Sequence, residues 1–324
     1  MESDGALRIG VAGAGATGGY LAARLARAGY PVTLLARPQS AEALATHGLR
    51  VEEADGTSFR AHPEAVVTAE TAHSPVDVVL FSVKAYDTEQ AAADIAPLVG
   101  DSGSVVCLQN GVANEEVLAE RYRPARVLSG VLYVGAERLA VGSIRCRTPA
   151  RVFLGPLRPD AGVGERLGDR LVQALSRAGV ETAWDERIRA AKWQKFLFNC
   201  GLNPTTALTG ATLGAVMRQP AGRRLVEDLV REALDVAMAA GAPLGADAFE
   251  DVMRTAERMD ISSSMAEDLA AGRPLELDAF GGYVLRLAEA RGIDVPATRA
   301  VTALLRVMTV DASHPRRPSI TAGP

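Results

Sequence analysis

Apolar residues in the first half of the chain fall in short runs, whereas in the second half they recur at helical spacing. Residues 7–12 form an apolar run that stops at glycines; an amphipathic segment, 20–28, and a second apolar run, 32–36, follow. Strand, glycine turn, helix and strand in such close succession is the unit that winds a parallel sheet. Further strands are predicted at 49–53, 76–83, 104–108 and 127–134, with Asp55-Gly56 as a hairpin turn and helices over 88–98 and from Asn114. Residues 144–147 and 151–154 read as two short strands of an added antiparallel edge, 162–178 as a helix and 180–184 as one more strand.

Beyond Asp185 the short runs disappear. Helices are predicted over 186–200, 223–240, 247–258, 277–291 and 297–312, broken at Gly241-Ala242-Pro243 and at Gly292. An α/β half followed by an all-α half predicts two domains, 1–185 and 186–312. Residues 313–324 contain prolines and no periodic pattern, and are expected to form a flexible tail.

Composition narrows the function classes. The chain has 324 residues, 48% hydrophobic and 23% charged, enough for two folded domains with sizeable cores. A net charge of −4 and 5% aromatic residues exclude a basic, base-stacking surface, so no nucleic-acid partner is expected. The apolar run 76–83 is interrupted by Asp77 and Ser82 and is far too short to span a membrane. Residues 1–5 carry two acids and lead straight into a strand, so no signal peptide is expected. Cys107, Cys146 and Cys200 are odd in number and widely spaced. They suggest neither a disulfide framework nor a zinc site, and a cytoplasmic setting with reduced thiols is expected. His47, His62, His73 and His314 fall in expected loops or in the tail, outside any chemical constellation. That removes the commonest general acid–base from consideration, and no metal site is expected.

Gly13-Ala14-Gly15-Ala16-Thr17-Gly18 fits G-x-G-x-x-G between the first strand and the first helix. In that context Gly13, Gly15 and Gly18 make a tight turn, let backbone N–H groups approach a pyrophosphate, and let the helix pack on the sheet. The N-terminal half is therefore expected to be a Rossmann-type α/β domain, followed by the all-α C-terminal domain. A dinucleotide enzyme that uses NAD usually has Asp or Glu at the end of the second strand. Here that strand ends Leu34-Leu35-Ala36-Arg37. A guanidinium at Arg37 matches a 2′-phosphate and points to NADPH/NADP+; a solvated surface arginine is the bland alternative. Lys84 follows the strand at 76–83 and is placed either to reach the cofactor or to sit in water as a loop lysine. Asn110, in Gln109-Asn110-Gly111, is placed to contact the nicotinamide ribose or the substrate, although Asn-Gly is also an ordinary turn.

In the helical half, Lys195, Asn199 and Asn203 are spaced four apart and predict one polar stripe on a helix otherwise built of Trp193, Phe196, Leu197, Phe198 and Leu202. Polar groups in so apolar a helix need partners or a wet surface. Pro204 disfavours helical geometry at Asn203, which places that residue in a bend. A snorkelling lysine with a capping asparagine is the plain alternative. Reduction of a ketone needs a proton donor for the forming alkoxide, and a partly desolvated lysine, its pKa lowered by burial, suits that task. Ser262-Ser263-Ser264-Met265 and Glu276-Leu277-Asp278 add hydroxyls and carboxylates. The serines also suit a helix cap, and Glu276 either pairs with Lys195 or is an exposed acid at a helix start.

Taken in order, these segments resemble the ketopantoate reductases (2-dehydropantoate 2-reductases). The resemblance rests on Gly13 to Gly18, Arg37, Val83-Lys84-Ala85, Asn110-Gly111, the K-x-x-x-N-x-x-x-N-P segment from Lys195 to Pro204, Ser263-Ser264-Met265 and Glu276-Leu277-Asp278, and covers residues 7–309. It implies reduction of 2-dehydropantoate, or a closely related small-molecule 2-keto acid, to the (R)-hydroxy acid with NADPH. Lys195 would be the general acid, positioned by Glu276. Asn199, Asn203 and Ser264 would hold substrate, Arg37 and Lys84 would grip the cofactor, and Asn110 would lie near the nicotinamide and the substrate. Two departures stand in the substrate half: Ile261 and Gly281 occupy positions where the family often has asparagine. They leave open a reductase of a different carbonyl or imine. A non-catalytic NADP-sensing protein is the alternative from another class, against which the Lys195–Asn199–Asn203 stripe argues. A homodimer stays open.

Overall fold

A computed structural model describes residues 6–158 and 165–310. The expected tail at 313–324 lies outside the described residues, as does the start of the helix expected at 162–178. The chain forms two compact units, divided between Lys192 and Trp193.

The first unit is built on a mixed ten-stranded sheet. Its elements begin with β1 (Ile9–Ala12), α1 (Ala16–Arg27), β2 (Val32–Leu35), α2 (Pro38–His47), β3 (Leu49–Glu52), β4 (Ser58–Ala61), β5 (Ala65–Val67) and β6 (Val78–Phe81). They continue with α3 (Thr88–Asp94), α4 (Ala96–Val99), β7 (Ser104–Cys107), α5 (Asn114–Tyr122), β8 (Val127–Ala140), β9 (Ser143–Pro156), α6 (Glu165–Arg177) and β10 (Glu181–Trp184). Every residue of β1, β6 and β7 is buried, as expected of parallel strands covered on both faces. The run β5-β2-β1-β6-β7-β8 is parallel throughout, with the winding direction reversing between β1 and β6. This is the Rossmann order, and the reversal is where such sheets collect ligands.

Register decides what meets at that edge. Ala12 pairs with Leu35 on one side and Phe81 on the other, and Phe81 pairs with Cys107. Four strands therefore end level, and the loops carrying the glycine turn, Arg37, Lys84 and Asn110 all leave from the same side of the sheet.

Several local expectations change. Residues 144–147 and 151–154 belong to one continuous strand, β9, in a long hairpin with β8, and β8 runs well past Val134. The hairpin register shifts between the pairs Tyr133↔Arg151 and Gly135↔Thr148. That irregularity accommodates Pro149, which cannot donate to a ladder. The outer edge of β9 is shared by β3 at Ser143 to Arg145 and by β10 at Arg151 to Leu154. The helix expected over 88–98 is two pieces, α3 and α4, with Pro97 in the first turn of α4. Helix α2 was not foreseen because only Leu44 of it is buried, which leaves little apolar period to see.

The second unit is helical, and no strand follows Trp184 among the described residues. Helix α7 (Ile188–Thr209) starts in the first unit and continues as the opening helix of the second. It is followed by α8 (Leu213–Arg218), α9 (Pro220–Ala239), α10 (Ala248–Arg258), α11 (Ser264–Ala270), α12 (Gly281–Glu289) and α13 (Pro296–Val310). Helices α8 and α11 are too short to show in periodicity.

Helix α7 passes through Pro204, where a bend was expected. Proline removes one helical donor, yet the helix continues past it, and the next two residues bond back along it. Thr205 Oγ1 donates to the Gly201 carbonyl at 2.7 Å and Thr206 Oγ1 to that of Leu202 at 2.8 Å. Trp193, Phe196, Phe280 and Tyr283 form the aromatic centre of this unit, with Phe196 stacked on Phe280 and edge-on to Trp193 and Tyr283.

Candidate active site

The glycine turn is shaped by sterics. Gly13 has φ +105°, open to residues without a Cβ, and it packs against the Ser82–Val83 backbone. A Cβ on Gly18 would lie 2.1 Å from the Gly13 carbonyl oxygen and 2.3 Å from Ser82 Oγ, so α1 can approach the sheet only with glycine here. Gly15 is different: no atom lies within 4 Å of where its Cβ would stand. Gly15 is the N-cap of α1 and makes no side-chain cap. The first-turn N–H groups of a helix have no intrahelical partner, and open space before them is a cradle for phosphate. The residues present therefore fit a dinucleotide pyrophosphate.

Arg37 stands at the end of β2 as the N-cap of α2, with its side chain 66% exposed. Its guanidinium is paired with Asp87, Nη2 to Oδ2 at 2.5 Å. Lys84 follows β6 and caps the single 3₁₀ turn Ala85–Asp87, its carbonyl accepting from the Asp87 N–H at 2.9 Å. Asn110 is half-buried, and its carbonyl accepts from Asn114 Nδ2 at 3.0 Å.

A buried network ties these loops together, and it was not foreseen. Gln109 Nε2 donates to the Val83 carbonyl at 3.0 Å and to Thr88 Oγ1 at 2.9 Å. Thr88 Oγ1 donates to the Ala85 carbonyl at 2.8 Å and lies 3.2 Å from Asn114 Oδ1. The loops bearing Lys84 and Asn110 are thereby locked to each other through satisfied polar groups. Gln109 was visible in the sequence only as a neighbour of Asn110.

The deepest charge pair was likewise missed. Lys192 Nζ lies 2.5 Å from Glu115 Oε1 and donates to the Cys107 carbonyl at 3.3 Å, while Ser129 Oγ donates to the same carboxylate oxygen at 2.5 Å. Both charged side chains are about as buried as the apolar core. Burial opposes the Lys192 ammonium, but Cys107 and Glu115 beside it hold its pKa above the usual lysine range. Burial pushes the Cys107 thiol up to about 11, against the pull of Lys192. Only its place among Trp193, Phe196 and Leu197 hinted that Lys192 is buried.

In the second unit, α7 carries Lys195, Asn199 and Asn203 in helical register through Pro204. Asn199 and Asn203 are buried and Lys195 is half-buried. Of the serines, Ser263 is the buried cap of α11: it accepts from the Ala266 N–H at 3.1 Å and from Thr206 Oγ1 at 2.7 Å. Ser264, in the first turn of α11, is exposed. Glu276 is half-buried at the start of a 3₁₀ turn, Leu277–Ala279, and belongs to the same unit as Lys195.

The two departures have different settings. Ile261 is exposed, with its carbonyl accepting from the Leu213 N–H at 2.8 Å. A Cβ on Gly281 would lie 2.2 Å from Thr302 Oγ1, so this position faces the interface of α12 with α13 and a side chain here would have to displace that hydroxyl. A cavity of ≈ 20 Å³ beside it, lined by Cys200, Pro204, Phe280 and Thr302, is the size for a water and not for a keto acid.

His47, His62 and His73 are exposed, and His314 lies outside the described residues. No cluster of metal-ligating side chains occurs among the described residues, and none of their helices is long and apolar enough to cross a membrane. The three cysteines are free and buried.

A parallel sheet in Rossmann order, with a glycine cradle at its reversal and a helical unit following it, defines a dinucleotide-dependent oxidoreductase. Comparison with known proteins carries this further. The family model described as ketopantoate reductase PanE/ApbA matches residues 9–159, and its C-terminal counterpart matches residues 187–309. The chain is 33% identical to a 2-dehydropantoate 2-reductase of Mesorhizobium japonicum, over 94% of this chain and 98% of that one. It is also 33% identical to the protein of the same name from Halobacterium salinarum, over 94% and 100%. Among solved structures, a PanE/ApbA family ketopantoate reductase from Ralstonia eutropha superposes with a TM-score of 0.85 at 33% identity, covering 95% of this chain and 100% of that one. The chain belongs to the ketopantoate reductase family, and it is a nicotinamide-dependent oxidoreductase.

Proposed function

We propose that this enzyme reduces 2-dehydropantoate to (R)-pantoate with NADPH, a step toward pantothenate, and that Lys195 is its general acid. The observation that carries the reading is the likeness to curated 2-dehydropantoate 2-reductases over nearly the full length of both chains. The retained Lys195–Asn199–Asn203 stripe on α7 supports it.

The glycine turn, Arg37 and Lys84 would hold the cofactor, with Asn110 beside the nicotinamide and the substrate. When bound, the nicotinamide supplies the hydride. As the substrate carbonyl gains it, negative charge develops on the oxygen, and the Lys195 ammonium stabilises that charge and donates the proton. Asn199, Asn203 and Ser264 orient the substrate through its carboxylate and hydroxyl. Glu276 would position Lys195. Arg37, standing where an acid would mark NAD, favours the phosphorylated cofactor.

The test is consumption of NADPH and of NADH, followed by nicotinamide absorbance, with 2-dehydropantoate and a panel of bulky 2-keto acids. Turnover is expected with 2-dehydropantoate and to be faster with NADPH. A much higher kcat/KM for another 2-keto acid would move the substrate within the class, and failure with every 2-keto acid would overturn the reading. For the cofactor, Arg37→Ala is expected to weaken NADPH binding roughly ten- to a hundredfold, the loss of one charge-assisted phosphate contact, and to leave NADH nearly unchanged.

A further inference from the structure

We propose that Asp87 is a cofactor-discriminating residue: it competes with a 2′-phosphate for Arg37 and so narrows the preference for the phosphorylated dinucleotide. The inference rests on the NADPH reading above and goes beyond it. Its carrier is the ion pair between Arg37 and Asp87, closed at 2.5 Å across 50 residues of chain.

Both backbones are held. Arg37 follows Ala36, whose N–H donates to the Val67 carbonyl at 2.9 Å, and its own carbonyl accepts from Ser40 and Ala41 in the first turn of α2. Asp87 is fixed by its N–H bond to the Lys84 carbonyl at 2.9 Å and by the Thr88–Gln109 network next to it. The Asp87 carboxylate makes no cap to α3 and is spent on Arg37. The level ends of β2, β1 and β6 bring the two loops together, so the pair follows from the sheet register.

The guanidinium stays largely exposed and can be reached by a ligand. A phosphate that reaches it meets a carboxylate already on one edge. It must displace that carboxylate or share the cation with it, and two anions beside one guanidinium repel. A ribose 2′-hydroxyl poses the opposite case: it is a donor, and a carboxylate accepts from it. Asp87 therefore works against the phosphorylated cofactor and for the unphosphorylated one, while Arg37 and Lys84 pull the other way.

The experiment is binding, not turnover. Dissociation constants of NADPH, NADH, ADP-ribose and 2′-phospho-ADP-ribose are measured by calorimetry on the full chain and on Asp87→Asn, Asp87→Glu and Arg37→Ala. Asp87→Asn is expected to tighten both phosphorylated ligands roughly two- to fivefold, the scale on which exposed ion pairs act, and to leave the unphosphorylated pair equal or weaker. Asp87→Glu, which keeps the charge, should stay close to the parent and guards against a folding artefact. An Asp87→Asn protein with a native melting curve and an unchanged ratio of phosphorylated to unphosphorylated affinity would overturn the proposal. If Arg37→Ala weakens NADPH while Asp87→Asn does nothing, only this inference falls. If Arg37→Ala moves neither cofactor, the NADPH reading falls and takes this one with it.

Discussion

Lys195 sits half-buried on α7, between the buried Trp193 and Phe196 and one turn before the buried Asn199. General acid catalysis contributes roughly 10²–10⁴-fold, so Lys195→Ala should lower kcat by about that factor. NADPH affinity should survive, because the residues proposed to hold the cofactor belong to the other unit. Asn199→Ala and Ser264→Ala should act mainly on KM, since they orient and do not transfer protons. The deciding comparison sets Lys195→Ala against Lys84→Ala, each assayed for turnover and for NADPH binding. Normal turnover in the first with none in the second would place the acid at the end of β6. Among Ser262, Ser263 and Ser264, the buried hydroxyl that accepts from Thr206 belongs to Ser263, whereas Ser264 is exposed.

Elements explain the departure at Gly281. Helices α12 and α13 meet so closely there that a Cβ would stand 2.2 Å from Thr302 Oγ1. Gly281→Asn is therefore expected to destabilise the protein by about 1–3 kcal/mol, the usual cost of overpacking. A lowered Tm with KM unchanged is the expected result, and Thr302→Ala in the same chain should recover part of the loss. An unchanged Tm with a shifted KM would return the position to substrate binding. Helix α7 teaches a related lesson. Pro204 marked a boundary by its local chemistry, yet Thr205 and Thr206 bond back to the carbonyls of Gly201 and Leu202 and the helix continues. A side-chain bond across one turn is a weak pattern in a sequence, and the packing of the helix decides whether it is used.

At the scale of the fold, the charge pair of Lys192 and Glu115 joins the beginning of α7 to α5 of the first unit. Removing one partner of a buried pair leaves a charge without compensation and typically costs about 3–5 kcal/mol. Glu115→Gln should unfold at correspondingly lower denaturant, and Glu115→Leu with Lys192→Met should recover much of the loss. A cost under about 1 kcal/mol would show that water reaches the pair. The raised pKa of Lys192 gives the pH dependence its sign. Stability from a raised lysine is complete below the unfolded value, about 10.4, and is lost only as pH climbs through the higher folded value, so it is intact at neutral pH. By itself the sequence determined the alternation of strands and helices, the glycine turn after β1 and the polar stripe on α7, because neighbours two to four residues apart write those patterns directly. Tertiary structure alone decided that Arg37 is held by Asp87, that Lys192 is buried against the Glu115 carboxylate, and that Gly281 faces Thr302. Those partners lie 50 and 77 residues apart in the two ion pairs, and only sheet register and helix packing bring such distant groups within bonding distance.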